Sequence, residues 1–186
     1  MKRTFYLLIG LSFAWVGCLT ALAGANQTNA TTPVRIGIYD SRAIAYAHFW
    51  SEASQKKRAD LIAAAKAAKQ SGDTNKFKAF DANLSNEQAK VHRQVFSTAP
   101  VDDALATIKN EIAAIQKLAG VSVLISKWDK ATLKQYEKAE SIDVTDKLVR
   151  SFITPTEKQL KNIEVLRKGE PLSLEKCNEM IRKGEL

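Results

Sequence analysis

A few side chains have the types and spacing that chemistry requires, but none of them completes a site. His48 and Glu52 lie one helical turn apart, yet two ligands do not make a metal site. Ser54 and Lys57 match the Ser-x-x-Lys pattern of serine acyl-enzymes, but the companion motifs Ser-Asp-Asn and Lys-Thr-Gly are absent. Cys177 lies on a predicted helix, where a buried small hydrophobe is the simpler interpretation. The eight glycines form no phosphate-binding loop. The sequence therefore predicts no enzyme, no metal and no cofactor.

Basic residues in the middle of the chain carry a stronger signal. Between Gln55 and Val95, nine basic residues stand against four acidic ones, a net charge of +5 out of +8 for the whole chain. Such an excess favours acidic partners, among them anionic lipid, lipopolysaccharide and acidic stretches of other proteins. The alternative is an ordinary solvated helical face. The residues predicted to contact a partner are Lys56, Lys57, Arg58, Lys66, Lys69, Lys76, Phe77, Lys78 and Phe80.

These residues lie on a predicted helical hairpin between two strands. Residues 34–39 and 121–126 are rich in β-branched side chains, which predicts strands. Residues 42–69 contain no Gly or Pro and predict one outgoing helix, and Gly72 marks the tip of the hairpin. The returning helix has an apolar stripe through Phe77, Phe80, Leu84 and Val91 that should face the outgoing helix or a partner. The hairpin spans residues 42–97, and the fold class is α+β, a small β body with a protruding long α-helical hairpin.

A second helix, over residues 99–119, is predicted at the root of the hairpin, with Thr98 as its cap. Its apolar residues recur with a heptad spacing. This seam either packs on the sheet as core or joins subunits, and the sequence leaves both interpretations open. The seam residues are Leu105, Ile108, Ile112 and Ile115.

Beyond the second strand, the chain predicts shorter elements. Residues 132–136 are predicted as a further strand and residues 145–150 as a short capped helix. Residues 154–186 form an extension in which Pro155 and Pro171 punctuate two amphipathic helices.

The first residues are typical of a targeting sequence. Lys2 and Arg3 precede an apolar stretch and small-x-small cleavage sites, so residues 1–25 predict a cleaved secretory signal peptide. A membrane anchor and lipidation at Cys18 are the alternatives. Residues 26–33 are polar and predicted to be disordered. Removal of the leader would leave a chain with a net charge of +6 and Cys177 as its only cysteine, so no intramolecular disulfide can form.

The order of these pieces resembles the Skp/OmpH-like periplasmic chaperones. The residues that carry the resemblance are a strand over 35–40 followed by a helix, a Leu-Ala-Gly turn into a strand over 118–125, a strand containing Tyr136, and a closing segment over 141–149. The resemblance covers residues 34–153. The extension over 154–186 has no counterpart in it.

Membership of that family would imply a homotrimer in the periplasm whose helical arms enclose unfolded outer-membrane proteins without ATP. The expected function is therefore that of a holdase chaperone with unfolded outer-membrane proteins as partners and no nucleic acid. The alternative is a structural or adaptor protein of the cell envelope that uses the hairpin to dock one folded partner.

Overall fold

Three parallel strands form the sheet of this protein in a computed structural model that describes residues 34–186. The strands are β1 (Arg35–Tyr39), β2 (Val123–Ser126) and β3 (Glu140–Asp143), in the spatial order β2-β1-β3. Ile36 of β1 is in register with Val123 on one side and with Ser141 on the other. The first strand in the sequence is therefore the middle strand of the sheet.

Helices account for most of the rest of the fold, and the described residues, 34–186, form one compact unit. Between β1 and β2 lie α1 (Ser41–Trp50), α2 (Glu52–Gln70), α3 (Thr74–Phe96), α4 (Asp102–Ala106) and α5 (Lys109–Ala119). The helix α6 (Lys130–Gln135) connects β2 to β3, and after β3 the chain continues through α7 (Thr145–Phe152), α8 (Glu157–Lys168) and α9 (Leu174–Lys183). The predicted α+β class, with a small sheet and many helices, is confirmed.

The core lies where α1 meets the sheet and α7. Small residues let α1 pack closely, since Ala43 and Ala47 are fully buried around Ile44. The same close approach occurs at Gly37 in the middle strand, where a Cβ atom would lie 2.5 Å from Cδ2 of Leu124. Leu148 of α7 is also fully buried in this cluster.

The predicted hairpin is present, but its outgoing arm is two helices rather than one. The chain breaks at Ser51, whose extended backbone (φ −64°, ψ 148°) ends α1 and begins α2. The tip is as predicted, because Gly72 adopts φ +74° and Asp73 caps α3 by accepting from the N–H of Lys76. The prediction of one helix over 42–69 was wrong. The hydroxyl of Ser51 caps α2, so the helix is interrupted there without a Gly or Pro residue.

The predicted root helix over 99–119 is likewise divided, into α4 and α5. Thr98 does not cap it, since α4 begins at Asp102 without a side-chain cap. The heptad side chains turn into the core of the chain: Ile108 and Ile115 are 5% and 8% exposed, and Leu105 and Ile112 pack beside them. The seam is therefore core, and any association between copies of the chain would need a different surface.

After β2, one predicted strand is wrong and one observed strand was not predicted. Residues 132–136 were predicted as a strand, but they belong largely to α6, because Asp129 caps that helix by accepting from the N–H of Thr132 at 3.0 Å. The third strand is β3, which has only one apolar residue, Ile142, and was not predicted. The short helix predicted over 145–150 is confirmed as α7.

The predicted signal peptide, the polar tail over 26–33 and Cys18 lie outside the described residues. No helix between Val34 and Leu186 has both the length and the apolar character that crossing a bilayer requires.

Candidate functional site: the two sides of the hairpin

The hairpin is held together by a narrow seam of small residues. Ala65 and Ala68 of α2 are buried, while Phe77 and Phe80 of α3 are only half-buried. Most other side chains of α2 and of the distal half of α3 are exposed. A seam this narrow leaves the two flanks of the hairpin in contact with solvent.

One flank of the hairpin carries basic residues that are neutralised by acidic neighbours. Lys57 Nζ lies 2.9 Å from Glu87 across the hairpin, and Lys56 Nζ lies 2.7 Å from Asp60. Near the two ends of α3, Lys76 pairs with Asp73 and Lys90 pairs with Asp103. Three of the predicted partner contacts, Lys56, Lys57 and Lys76, therefore already have carboxylate partners.

The other flank carries basic residues that make no salt bridge with any residue the structure describes. Arg58, Ile62, Lys66 and Lys69 recur at spacings of four, four and three on α2, which places them on one stripe. Arg58 lies about 100° around the helix from Lys57 and so on the opposite side of the seam. Ile62 is 49% exposed within this stripe.

The stripe continues onto α3. Lys69 Nζ lies 5.7 Å from the ring centroid of Phe77, so this aromatic ring borders the stripe. Lys76 and Lys78 flank Phe77 on opposite sides. Because Lys76 shares a helical stripe with Glu87, it belongs to the ion-paired flank, and Lys78 belongs to the other.

Aromatic rings extend the same flank toward the body of the protein. The guanidinium of Arg58 lies 5.5 Å from the ring centroid of Phe49, and Phe49 meets Trp50 edge to face at 5.5 Å. Trp50 is 44% exposed. We call this surface the open basic face; its members are Phe49, Trp50, Arg58, Ile62, Lys66, Lys69, Phe77 and Lys78.

The pKa values of the acidic residues on the paired flank also distinguish the two flanks. At Asp103, burial works to raise the pKa, but hydrogen bonds from Lys90 and Gln94 outweigh it and hold the pKa below its ordinary value. Asp73 also has a lowered pKa, chiefly because it accepts hydrogen bonds from the backbone and side chain of Lys76. These carboxylates stay ionised near neutral pH and keep the paired flank neutral. The open basic face has four cations, Arg58, Lys66, Lys69 and Lys78, and one acidic neighbour, Asp81, which lies one turn from Lys78 on α3.

A second cluster lies at the carboxyl end of the sheet and was not predicted. Asp40, directly after β1, is 1% exposed and accepts hydrogen bonds from Lys127 Nζ at 2.8 Å and Trp128 Nε1 at 3.0 Å. Arg42 is 2% exposed, donates to Asp40 at 3.3 Å and stacks 4.7 Å from the Trp128 ring centroid. Thr145, two residues after the end of β3, accepts from the Asp40 N–H at 3.0 Å.

The signal for this cluster is visible in the sequence once the sheet is known to be parallel. The carboxyl ends of parallel strands meet at one edge, so polar residues that follow each strand must come together there.

Burial works to raise the pKa of Asp40, but the hydrogen bonds from Lys127, Trp128 and Arg42 outweigh it and lower the pKa.

The C-terminal extension closes this edge of the sheet. Arg42 Nη2 donates to the carbonyl oxygen of Gly169 at 2.8 Å, and Lys127 Nζ lies 3.4 Å from that of Arg167. The Arg167 side chain in turn pairs with Asp146 at 2.8 Å. Asp40, Arg42, Lys127 and Arg167 therefore each bind another part of the chain.

Three of the side chains considered for chemistry, Ser54, Lys57 and Cys177, each contact another part of the chain. Ser54 Oγ lies 3.2 Å from His48 Nε2, whereas Lys57 Nζ is engaged by Glu87, so the Ser-x-x-Lys pair is not assembled. Cys177 is fully buried, its thiol lies 3.7 Å from the carbonyl oxygen of His92, and burial raises its pKa. Across residues 34–186, no three His, Cys, Asp or Glu side chains are grouped to hold a metal ion.

Comparison of the chain with protein-family models, with curated proteins and with solved structures finds no match.

Proposed function

We propose that this protein binds unfolded polypeptides, outer-membrane proteins among them, and keeps them from aggregating in the periplasm without a nucleotide. The observation that carries the proposal is the asymmetry of the hairpin: its salt bridges gather on one flank, and free cations mixed with apolar groups gather on the other. Free cations attract acidic segments over about a Debye length. Phe77, Ile62 and the lysine stems offer short-range apolar contact without selecting one shape.

The proposal refines the predicted set of contacts. Arg58, Lys66, Lys69 and Lys78 are expected to contact the client together with Phe77. Lys56, Lys57 and Lys76 are expected to contribute little, because the carboxylate beside each one cancels most of its attraction for an acidic segment. Phe80, which is half-buried and belongs to the predicted apolar stripe of α3, is expected to support the hairpin more than the client.

A pair of matched variants tests this assignment. One replaces the open cations (Arg58→Gln, Lys66→Gln, Lys69→Gln, Lys78→Gln), and the other replaces four paired ones (Lys56→Gln, Lys57→Gln, Lys76→Gln, Lys90→Gln). Both lower the net charge of the protein by four and alter the same two helices. The assay is aggregation of a urea-unfolded outer-membrane protein after dilution, followed by light scattering at several salt concentrations.

The open-face variant should lose about tenfold in apparent affinity, since four exposed contacts contribute about 0.3–0.5 kcal/mol each. Its remaining capture should depend weakly on salt, while the paired-face variant should behave like the wild type. Equal loss in both variants would show that only net charge matters. Wild-type protein that leaves aggregation unchanged at a stoichiometric ratio would overturn the function itself.

The adaptor interpretation is the second candidate, and the fixed Phe49–Trp50–Arg58 patch at the base of the hairpin favours it. A single folded partner would use that patch more than the lysines near the tip. Trp50→Ala should then abolish capture of the partner from a native extract while leaving aggregation of unfolded clients unaffected. The homotrimer remains a prediction, which a native mass measurement tests directly.

A further inference from the structure

The junction between α1 and α2 is a break in the outgoing arm at the base of the hairpin. Hydrogen bonds around Ser51 hold the two helices together at this junction. Ser51 Oγ donates to the carbonyl oxygen of His48 at 2.7 Å and accepts from the N–H of Ser54 at 3.3 Å. Gln55 adds a bond from its side-chain amide to the carbonyl oxygen of Phe49 at 2.6 Å. The geometry of the junction therefore depends on the last turn of α1 remaining in place.

The ring of His48 joins three elements at this junction. Its Nε2 atom lies 3.2 Å from Ser54 Oγ in the first turn of α2. The ring also packs edge to face on Phe152 of α7, with centroids 5.6 Å apart. A half-buried imidazole thus fills the space between α1, α2 and α7.

The charges around His48 come from three helices and act in opposite directions. Asp103 of α4 and Glu87 of α3 favour the imidazolium, whereas Lys90 of α3 and Lys57 of α2 oppose it. These four groups form two ion pairs, Lys57 with Glu87 and Lys90 with Asp103. Desolvation of the ring is therefore the largest effect, and it holds the pKa of His48 below its ordinary value of 6.5.

We propose that the α1–α2 junction is a proton-sensitive joint, with His48 as its sensor, that loosens the base of the hairpin in acid. The closed junction removes part of the ring from water and so favours the neutral form, whereas an open junction hydrates the ring more fully and favours the cation. Protonation therefore shifts the junction toward its open state. The Ser54 hydroxyl can donate to the neutral ring or accept from the protonated one, so this contact survives protonation, and desolvation, the largest effect, sets the direction of the shift.

The direction of the pH effect follows from linkage. Because the pKa of His48 is lower in the closed junction than in the open one, acidity has no effect well above pH 6.5. As the pH falls below that value, the closed junction loses stability, and the loss grows until the pKa of the closed form is passed. Each unit of difference between the two pKa values permits a tenfold change in the opening equilibrium.

The test uses the free protein, so its outcome is independent of the proposed function. Two NMR measurements are made between pH 7.5 and 5: the titration of the histidine rings, and the exchange of the Ser54 and Gln55 amide protons corrected for their intrinsic rates. The chain contains two histidines, which makes the ring signals assignable with one variant. The expected result is a ring pKa below 6.5 for His48 and a several-fold loss of amide protection over the same pH range.

Two glutamine variants separate the sensor from general acid effects. His92 also has a pKa lowered by burial, but it lies on α3 against Phe96 and away from the junction. His92→Gln should therefore keep the transition, and His48→Gln should remove it. Loss of protection that persists in His48→Gln would overturn the proposal, as would a His48 ring that titrates at or above 6.5 in the wild-type protein.

Discussion

Asp40 is a buried carboxylate whose two oxygens are both occupied by donors from different parts of the chain. Oδ1 accepts from the Arg42 N–H at 3.0 Å and from the indole of Trp128, while Oδ2 accepts from Lys127. The arrangement caps α1 and joins the ends of β1 and β2 through one side chain. Removal of the carboxylate charge would leave Arg42 buried without its acidic partner. Loss of one partner from a buried ion pair strongly destabilises the folded state.

Asp40→Asn should lower the free energy of unfolding by about 3 kcal/mol, measured as a shift in the urea midpoint. Because the pKa of Asp40 is lowered by folding, its contribution is present above pH 3.8 and is lost as the pH falls through the folded-state value. The variant should therefore show a shallower decline of stability in acid than the wild type.

Asp129→Asn is the matched control at the residue scale. Asp129 is an exposed cap of α6, and asparagine caps a helix about as well as aspartate, so the expected change is below about 0.5 kcal/mol. Similar losses in both variants would contradict the structural importance of the Asp40 cluster.

At the scale of elements, the passage from α5 to β2 depends on the backbone of one residue. Gly120 ends α5 at φ +63°, and the guanidinium of Arg35 lies where a Cβ atom would come within 2.8 Å of Nη1. The same guanidinium donates to the carbonyl oxygen of Ala119 at 3.2 Å. The turn that starts β2 therefore requires a left-handed conformation, whereas the flexible end of the Arg35 side chain could shift to admit a Cβ atom.

Gly120→Ala should cost about 1–2 kcal/mol in thermal or urea unfolding, because alanine is strained at positive φ. Gly169→Ala is the control: its φ is −80°, and the nearest atom to an added Cβ is 3.6 Å away. That variant should be neutral or slightly stabilising, since alanine restricts the unfolded chain. Equal effects at the two positions would show that the left-handed turn is not a constraint.

The elements that sequence predicted are those whose signals are local. Gly72 and Asp73 specify the hairpin tip within four residues, and the β-branched runs of β1 and β2 suffice for strands. By contrast, β3 is a strand because β1 lies beside it, and Ile142 alone gives no alternating pattern. Ser51 breaks the outgoing arm through a hydroxyl cap that any helical serine could in principle form.

For the candidate site, too, local features were visible in the sequence and contacts between distant residues were not. The sequence was sufficient to place the basic residues on a helical hairpin. It did not separate Lys57 from Arg58, because that separation depends on Glu87 of α3 lying on one side of the seam. The Asp40 cluster was missed because its members follow different strands, and their meeting depends on the parallel order of the sheet.

At the scale of the whole molecule, the C-terminal extension is part of the fold rather than an appendage. Ile163 of α8 is 4% exposed in the main core, and Cys177 of α9 is fully buried against α3. The backbone N–H of Leu172 donates to the carbonyl oxygen of Phe96 at 2.9 Å, and Arg93 donates to Asn178 at 2.6 Å. The extension therefore holds both the carboxyl edge of the sheet and the root of α3.

Truncation after Thr154 should lower the melting temperature by at least about 10 °C, because it removes two buried side chains and the carbonyl partners of Arg42 and Lys127. Differential scanning calorimetry measures the shift. Removal of Glu185 and Leu186 alone should leave it unchanged. A truncated protein that melts like the full chain would show that α8 and α9 are dispensable to the body.

The central position of β1 determines the order in which this molecule can fold. Its Arg35 bonds to Glu140, 105 residues further along the chain, so the sheet has a high contact order and closes only after a large loop has been ordered. The contacts between α2 and α3 span a short loop and need no distant partner. We therefore expect the arms to form first, and the pairing of β2 and β3 with the first strand to limit the rate of folding.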